Sequence, residues 1–306
     1  MNFKSLPQLL NHFKDEQVCI KYLEDQRWED GKAVCPHCND STKPYSIEGG
    51  KRYKCDNKDC RKKFSVTVGT VFENSKIKLS LWFVAIYLAT SRKKGVSSLQ
   101  LSRDVGVSQK TAWFMLHRIR EMLKEEAPEM LTEVVQLDET YIGGKEKNKH
   151  RDKRTPQSQG RSTKTKTPVF GMVSEGKVYN QVVPNTSAKT LKPIIHSYVK
   201  EGAIIVTDEW LAYRGLDQKY DHKTVHHKQE QYMVDGFHNN SIEGYWSHLK
   251  RMILGNYHSI SKKHTQSYIN ESAYRYNTRE VTDCERFCNA LLKTDGRLTY
   301  KNLTQK

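Results

Sequence analysis

The stretch "EVVQLDETYIGG", residues 133–144, alternates as a half-buried strand does. Val135 and Leu137 fall on one side, Gln136 and Asp138 on the other. Asp138 is therefore an acid in mid-strand, where sheet propensity disfavours one. That misfit marks it for chemistry. Its neighbour Glu139 shares the side of Val135 and Leu137, so Asp138 is preferred. The same grammar continues downstream. "PVFGMVS" (168–174) and "KVYNQVV" (177–183), separated by "EG", read as a hairpin. "SAKTLKPIIHSYVK" (187–200) reads as a helix despite Pro193. "AIIVTDEW" (203–210) reads as a buried strand ending at Asp208, where an acid reaches a crevice. Asp208 also fits a cap for the segment from Trp210, and Glu209 competes with it. "TVHHK" (224–228) is one more strand.

"NNSIEGYWSHLKRM" (239–252) then supplies a helix, with Ile242, Leu249 and Ile253 as its apolar stripe and Trp246 packing there in preference to stacking on a flipped base. Glu243 lies in its first turn. With Asn240 as N-cap, Glu243 also fits a capping box. The order predicts a mixed sheet flanked by helices. Asp138, Asp208 and Glu243 converge in it if the first and fourth strands are neighbours.

The chain of 306 residues suffices for two or three domains. Its longest apolar run, "LWFVAIYLA" (81–89), is about half a membrane span. The start, "MNFKSLPQLLNHFKDEQ", lacks the apolar core of a signal peptide, so the expected location is the cytoplasm, with the nucleoid. A net charge of +16 points to a polyanion partner, because cations placed on phosphates release condensed counterions.

Four of the seven cysteines cluster in "CPHCNDSTKPYSIEGGKRYKCDNKDC" (35–60). Cys35 and Cys38 form one pair, Cys55 and Cys60 another, with a turn and a short strand between. Four thiolates in two close pairs suit tetrahedral zinc, and so small a segment folds only with its metal. Cys19, Cys284 and Cys288 read as core. "KLSLWFVAIYLATS" (78–91) is an apolar helix. "SSLQLSRDVGVSQKTAWFMLHRIREMLKEE" (97–126) reads helix, turn at Gly106, helix, with Ser108 as the second cap. Leu99, Leu101, Ala112, Met115, Leu116 and Ile119 face inward. Gln109, Lys110, Thr111, His117 and Arg118 face outward. This suits a helix-turn-helix that reads double-stranded DNA.

Asp138, Asp208, Glu243 and Lys250 follow one another with 69, 34 and 6 residues between. That series resembles the DDE transposases and retroviral integrases of ribonuclease-H-like fold. "YLEDQRWEDGKAVCPHC", "LDETYIGGKEK", "VTDEWLAYRGL" and "HNNSIEGYWSHLKRMILGNYHSISKKH" resemble more narrowly the Merlin-like group of bacterial insertion-sequence transposases, over residues 17–280. The resemblance implies that Asp138, Asp208 and Glu243 hold two magnesium or manganese ions, Asp138 bridging them. It implies cleavage by water and then joining of the freed 3′-hydroxyl to target DNA. Some members carry Asn at the third position; this chain has Glu243.

Lys250 lies about 10 Å further along the helix on nearly the same face, suited to a phosphate. Residues 144–166 hold nine Lys or Arg against two acids and no apolar residue. They read as a mobile loop whose Lys145, Lys147, Lys149 and Arg151 fold onto DNA. Arg251, Tyr257 and His258 extend that path. "HTQSYINESAYRYNTRE" (264–280) is a helix with Tyr268, Ala273 and Tyr276 as core.

The expected organisation is a helical segment and zinc ribbon (1–70), a helix-turn-helix region (71–130), a ribonuclease-H-like domain (131–292) and a frayed polar tail (293–306). Joining two ends calls for at least a homodimer on DNA. A catalytically inert DNA-binding regulator and a structure-specific nuclease are the alternatives.

Overall fold

The computed structural model describes residues 3–28, 31–39, 44–125, 130–144, 146–158, 160, 162–226, 233–234 and 236–305. The chain divides into two compact units: Met1–Leu123 with Glu280–Lys306, and Lys124–Arg279.

The first unit opens with α1 (Leu6–His12) and α2 (Glu16–Arg27). Asp15 caps α2, its side chain accepting from the Gln17 amide. Three short antiparallel strands follow: β1 (Tyr45–Ile47), β2 (Arg52–Lys54) and β3 (Lys63–Phe64). α3 (Leu79–Ser91) is apolar nearly all round and is buried nearly all round. Its first amides are capped from afar by the Glu16 carboxylate, 2.8 Å from Leu79 N. α4 (Ser98–Val105) and α5 (Gln109–Met122) flank Gly106, which adopts the left-handed conformation (φ 69°) of a helix C-cap. The Ser108 side chain accepts from Thr111 N, as its place in the sequence predicts. Leu101, Ala112, Met115, Leu116 and Ile119 are buried, but Leu99 is 51% exposed. Leu99 is the second residue of α4, and the face turned inward there begins at Leu101.

The second unit is built on a sheet of five strands: β4 (Val134–Ile142), β5 (Thr167–Ser174), β6 (Lys177–Val182), β7 (Ile204–Thr207) and β8 (Asp221–Thr224). Their spatial order is β6-β5-β4-β7-β8. β4, β5 and β6 pair antiparallel, while β7 joins β4 and β8 joins β7 in parallel. The β5–β6 turn puts Glu175 and Gly176 both at positive φ, the backbone a tight hairpin requires. α6 (Ala188–Tyr198) connects β6 to β7, and Pro193 is accommodated inside it. α7 (Asn240–Met252) runs into a π-helical turn, Ile253–Tyr257, followed by α8 (Thr265–Asn277).

One face of the sheet buries Val135, Leu137 and Phe170 against Leu191 and Ile195 of α6. The other buries Val169 and Val173 against Ile242, Trp246 and Leu249 of α7 and Ile269 of α8. A mixed sheet of this order with helices on both faces is the ribonuclease-H-like fold. The first and fourth strands are neighbours, which is the condition on which the convergence of the acids depends. The strand expected at 224–228 is instead β8, ending at Thr224; residues 227 and 228 lie outside the described residues.

The last two helices depart from expectation. α9 (Asp283–Leu291) belongs to the first unit and not to the sheet domain. It starts with a complete capping box, Thr282 with Glu285. Its Phe287 packs edge-on against Phe3 and Phe83. Cys284 is buried beside it, as core. The tail is not frayed either. α10 (Tyr300–Thr304) sets Tyr300 edge-on to Phe114 of α5, ring centres 5.5 Å apart. No helix among the described residues is long and apolar enough to cross a membrane.

Candidate active site and metal centre

β4 carries Asp138 past the centre of the sheet. The parallel register sets Gln136 beside Val206. Carried on by two residues, it sets Asp208, just beyond the end of β7, level with Asp138 on the adjacent strand. The start of α7 is tied to the same stretch of β4. The Gln136 side chain accepts from the Ile242 amide (3.1 Å) and donates to Ser241 Oγ (3.3 Å). Asn239 Nδ2 donates to Leu137 O (3.4 Å). The Trp246 indole Nε1–H donates to Asp138 Oδ2 (2.9 Å). Glu243, on the exposed side of that first turn, is thus carried to the strands that hold Asp138 and Asp208.

The capping-box reading of Glu243 does not hold. The helix begins at Asn240 with Asn239 as N-cap, and no side chain caps it. Glu243 is then the fourth helical residue, one beyond the position that closes such a box.

The competing acids have structural partners. Glu139 accepts from the Tyr213 hydroxyl, buried in the α6-side core. Glu209 pairs with His226 at 3.4 Å. Asp208 keeps part of its capping role, with Oδ1 accepting from Trp210 N (3.0 Å). Asp138 is half-buried, and burial pushes its carboxyl up to about 6; the charges of Asp208 and Glu243 push the same way. Hydrogen bonds from the Glu139 backbone and the Trp246 indole pull against them. A half-buried carboxylate that feels two further acids belongs to a donor set suited to a hard divalent cation. Among the described residues the three acids are not gathered into a tight ligand cluster, while sheet register and hydrogen bonds set β4, the end of β7 and the start of α7 side by side.

The four cysteines do form such a cluster. The sulfurs of Cys35, Cys38, Cys55 and Cys60 all lie within 4.8 Å of one another. Cys35 and Cys60 are 3.8 Å apart, Cys38 and Cys55 3.6 Å. A tetrahedron with zinc–sulfur bonds of about 2.3 Å has edges of about 3.8 Å, so the residues fit zinc. Tyr53, Phe64 and Trp28 pack behind the ribbon.

The residues expected on DNA divide. Gln109 and Lys110 are exposed at the start of α5, with Thr111 half-buried; Gln109 donates to Ser98 Oγ. Arg118 is buried, donating to Leu298 O (3.1 Å) and Val71 O (2.9 Å). It braces the fold and does not face outward. His117 is buried as well. For Arg118 the cover comes from Val71 and from Leu298 of the tail, while His117 packs on the Trp113 ring, centres 4.4 Å apart, on a face of α5 that reads as solvated when the helix is considered alone. Lys147, Lys149 and Arg151 are exposed, and Lys145 lies outside the described residues. What is described of their loop is folded on itself: Glu146 accepts from Lys149 Nζ and Thr155 N, and Arg154 donates to the carbonyls of Lys147 and Lys149. Lys250, Arg251 and His258 are exposed. The Tyr257 hydroxyl donates to Glu271 (2.7 Å), beside the buried Glu271–Arg275 pair, so it serves packing.

Sequence reasoning gave Gln136 no role, and Trp246 either core packing or stacking on a flipped base. A polar residue on the acid's own side of a strand was the available signal for Gln136.

The chain matches an ISXO2-like transposase domain over residues 130–277 and a transposase zinc-ribbon domain over residues 14–63. It is similar to a protein of the transposable element ISH50 of Halobacterium salinarum, 30% identical over 269 residues, which make up 84% of this chain and 89% of that one. A transposase-like protein of Haemophilus influenzae is 35% identical over 106 residues, 34% of this chain and 85% of that one. Among solved structures, the simian T-cell lymphotropic virus intasome overlaps at 13% identity with a TM-score of 0.27, covering 60% of this chain and 64% of that one. The Mos1 strand transfer complex overlaps at 13% identity with a TM-score of 0.23, covering 62% and 73%. The fold and the two matched domains define a transposase. Within that class, the chain belongs to the ISXO2-like family with its N-terminal zinc ribbon.

Proposed function

We propose that this protein cuts and joins DNA at the ends of its element, using Asp138, Asp208 and Glu243 as one divalent-cation site. The observation that carries the reading is that the Asp138 carboxyl feels the charges of both Asp208 and Glu243, on elements that sheet register and hydrogen bonding set side by side. Magnesium or manganese held there would supply Lewis acidity, activating an oxygen nucleophile and neutralising charge on the leaving oxygen.

The protein's own groups do the rest. Asp138 is held in one orientation by the Trp246 indole. Asp208 and Glu243 add the remaining carboxylates from β7's end and the first turn of α7. Lys250, exposed two turns beyond Glu243, takes a DNA phosphate and fixes the strand along α7. Lys147, Lys149, Arg151 and Arg251 hold the flanking backbone. Helices α4 and α5 act as a helix-turn-helix, with Gln109, Lys110 and Thr111 in the major groove. Zinc on the four cysteines is structural. The working form on DNA is at least a dimer, since two ends are joined.

A strand-transfer assay with radiolabelled element-end duplex, a target plasmid and magnesium tests this. The expected result is joined product with the wild-type chain, and neither cleavage nor joining with Asp138→Asn, Asp208→Asn or Glu243→Gln. Cleavage without joining would reduce the protein to a nuclease. Unaltered end binding with neither reaction in the wild type would make it a DNA-binding regulator.

A further inference from the structure

Asp138 ends in a torsion that is intrinsically broad, because the carboxylate rotates about an sp³–sp² bond. Here a hydrogen bond holds one of its oxygens. Trp246 is 3% exposed, and its Nε1–H reaches Asp138 Oδ2 at 2.9 Å. The residue directly across the β4–β5 ladder from Asp138 is Gly171. A Cβ at Gly171 would stand 2.6 Å and 2.7 Å from Cζ2 and Cη2 of the Trp246 ring, well inside any real contact. The glycine lies in an ordinary strand, "PVFGMVS", where it weakens pairing and adds no side chain. The close approach of the indole accounts for it.

We propose that Trp246 is a positioning residue for Asp138, and that position 171 is glycine to admit the indole that does the positioning. This rests on the reading of Asp138, Asp208 and Glu243 as a cation site. With Oδ2 engaged by the indole, beside a hydrogen bond from the Glu139 backbone, the carboxylate is oriented before any cation arrives. Outer partners of this kind are commonly worth 10–100-fold in metal affinity.

The test uses the full-length, zinc-loaded chain with Trp246 replaced by 3-benzothienylalanine, which keeps the ring's shape and substitutes sulfur for the N–H. The manganese dissociation constant, measured by electron paramagnetic resonance, should rise by about 10–100-fold with the thermal midpoint unchanged. Gly171→Ala should raise it by a similar factor by displacing the indole. In unmodified protein labelled at its five tryptophan Nε1 atoms, the resonance missing from Trp246→Phe should move when magnesium is added. Wild-type manganese affinity in the analogue, alongside lost affinity in Asp138→Asn, overturns this inference alone. So does a Trp246 resonance that stays in place at saturating magnesium. Wild-type affinity in Asp138→Asn overturns the cation site itself, and this inference with it.

Discussion

A carboxylate that resists ionisation is a liability to the fold and an asset to the site. Asp138 has its carboxyl pushed up from 3.8 to about 6 by burial and then by the charges of Asp208 and Glu243. Between those two values the folded protein binds more protons than the unfolded chain. Its stability therefore falls as pH rises through that window, and the whole penalty is present above about pH 6. Asp138→Asn removes the charge and keeps an acceptor for Trp246. In magnesium-free buffer at pH 7 this variant should be more stable than the wild type, by on the order of 3 kcal/mol, while losing catalysis. Below pH 4 the two should be alike. Urea denaturation across pH 4–7 checks it, and parallel curves for the two proteins would contradict it. Magnesium should raise the thermal midpoint of the wild type and not of Asp138→Asn.

At the scale of elements, α5 has a buried face that braces the fold and an exposed one, for which DNA contact is proposed. Its buried face includes Arg118, whose guanidinium bonds Leu298 O and Val71 O. Arg118→Ala should cost about 2–3 kcal/mol by leaving buried carbonyls unpaired, measurable by chemical denaturation. Lys110→Ala should leave stability near wild type. It should weaken binding to element-end DNA and reduce the slope of log affinity against log salt by about 1. If Arg118→Ala changed only DNA binding, the expected outward arginine would be restored.

This helix also marks the limit of what local sequence reveals. The caps at Ser108 and Gly106 and the stripe from Ala112 to Ile119 are local signals, and they were legible. The cover supplied by Leu298 and Tyr300 comes from the far end of the chain, and no periodicity announces it. β8 was missed for a related reason. Asp221, His222 and Lys223 carry no alternation, yet charged residues are tolerated on an edge strand. The places of Asp138 within β4 and of Asp208 just past β7 were legible because an acid in or beside an apolar run is conspicuous; their role in a cation site is the proposal. The partnership of Gly171 with Trp246 was not, because it crosses from a strand to a helix distant in sequence.

On the scale of the whole molecule, one unit carries the zinc ribbon and α5 while the other carries the acids. Chelating zinc should therefore separate their fates. Amide hydrogen exchange is expected to accelerate across residues 44–64 when a chelator strips the four thiolates. Strands β4, β5 and β7 should keep their protection. Equal loss in both units would mean that the ribbon stabilises the entire chain. The net charge of +16 further predicts end binding that falls steeply with salt.

The claim on which the account stands is that Asp138, Asp208 and Glu243 share a divalent cation. Its most direct test is anomalous diffraction from crystals of the zinc-loaded protein with DNA, soaked in manganese and recorded at the manganese edge. The account predicts density bounded by these three carboxylates, lost in Asp138→Asn. Saturating manganese with no density among them, or density only elsewhere, would contradict it.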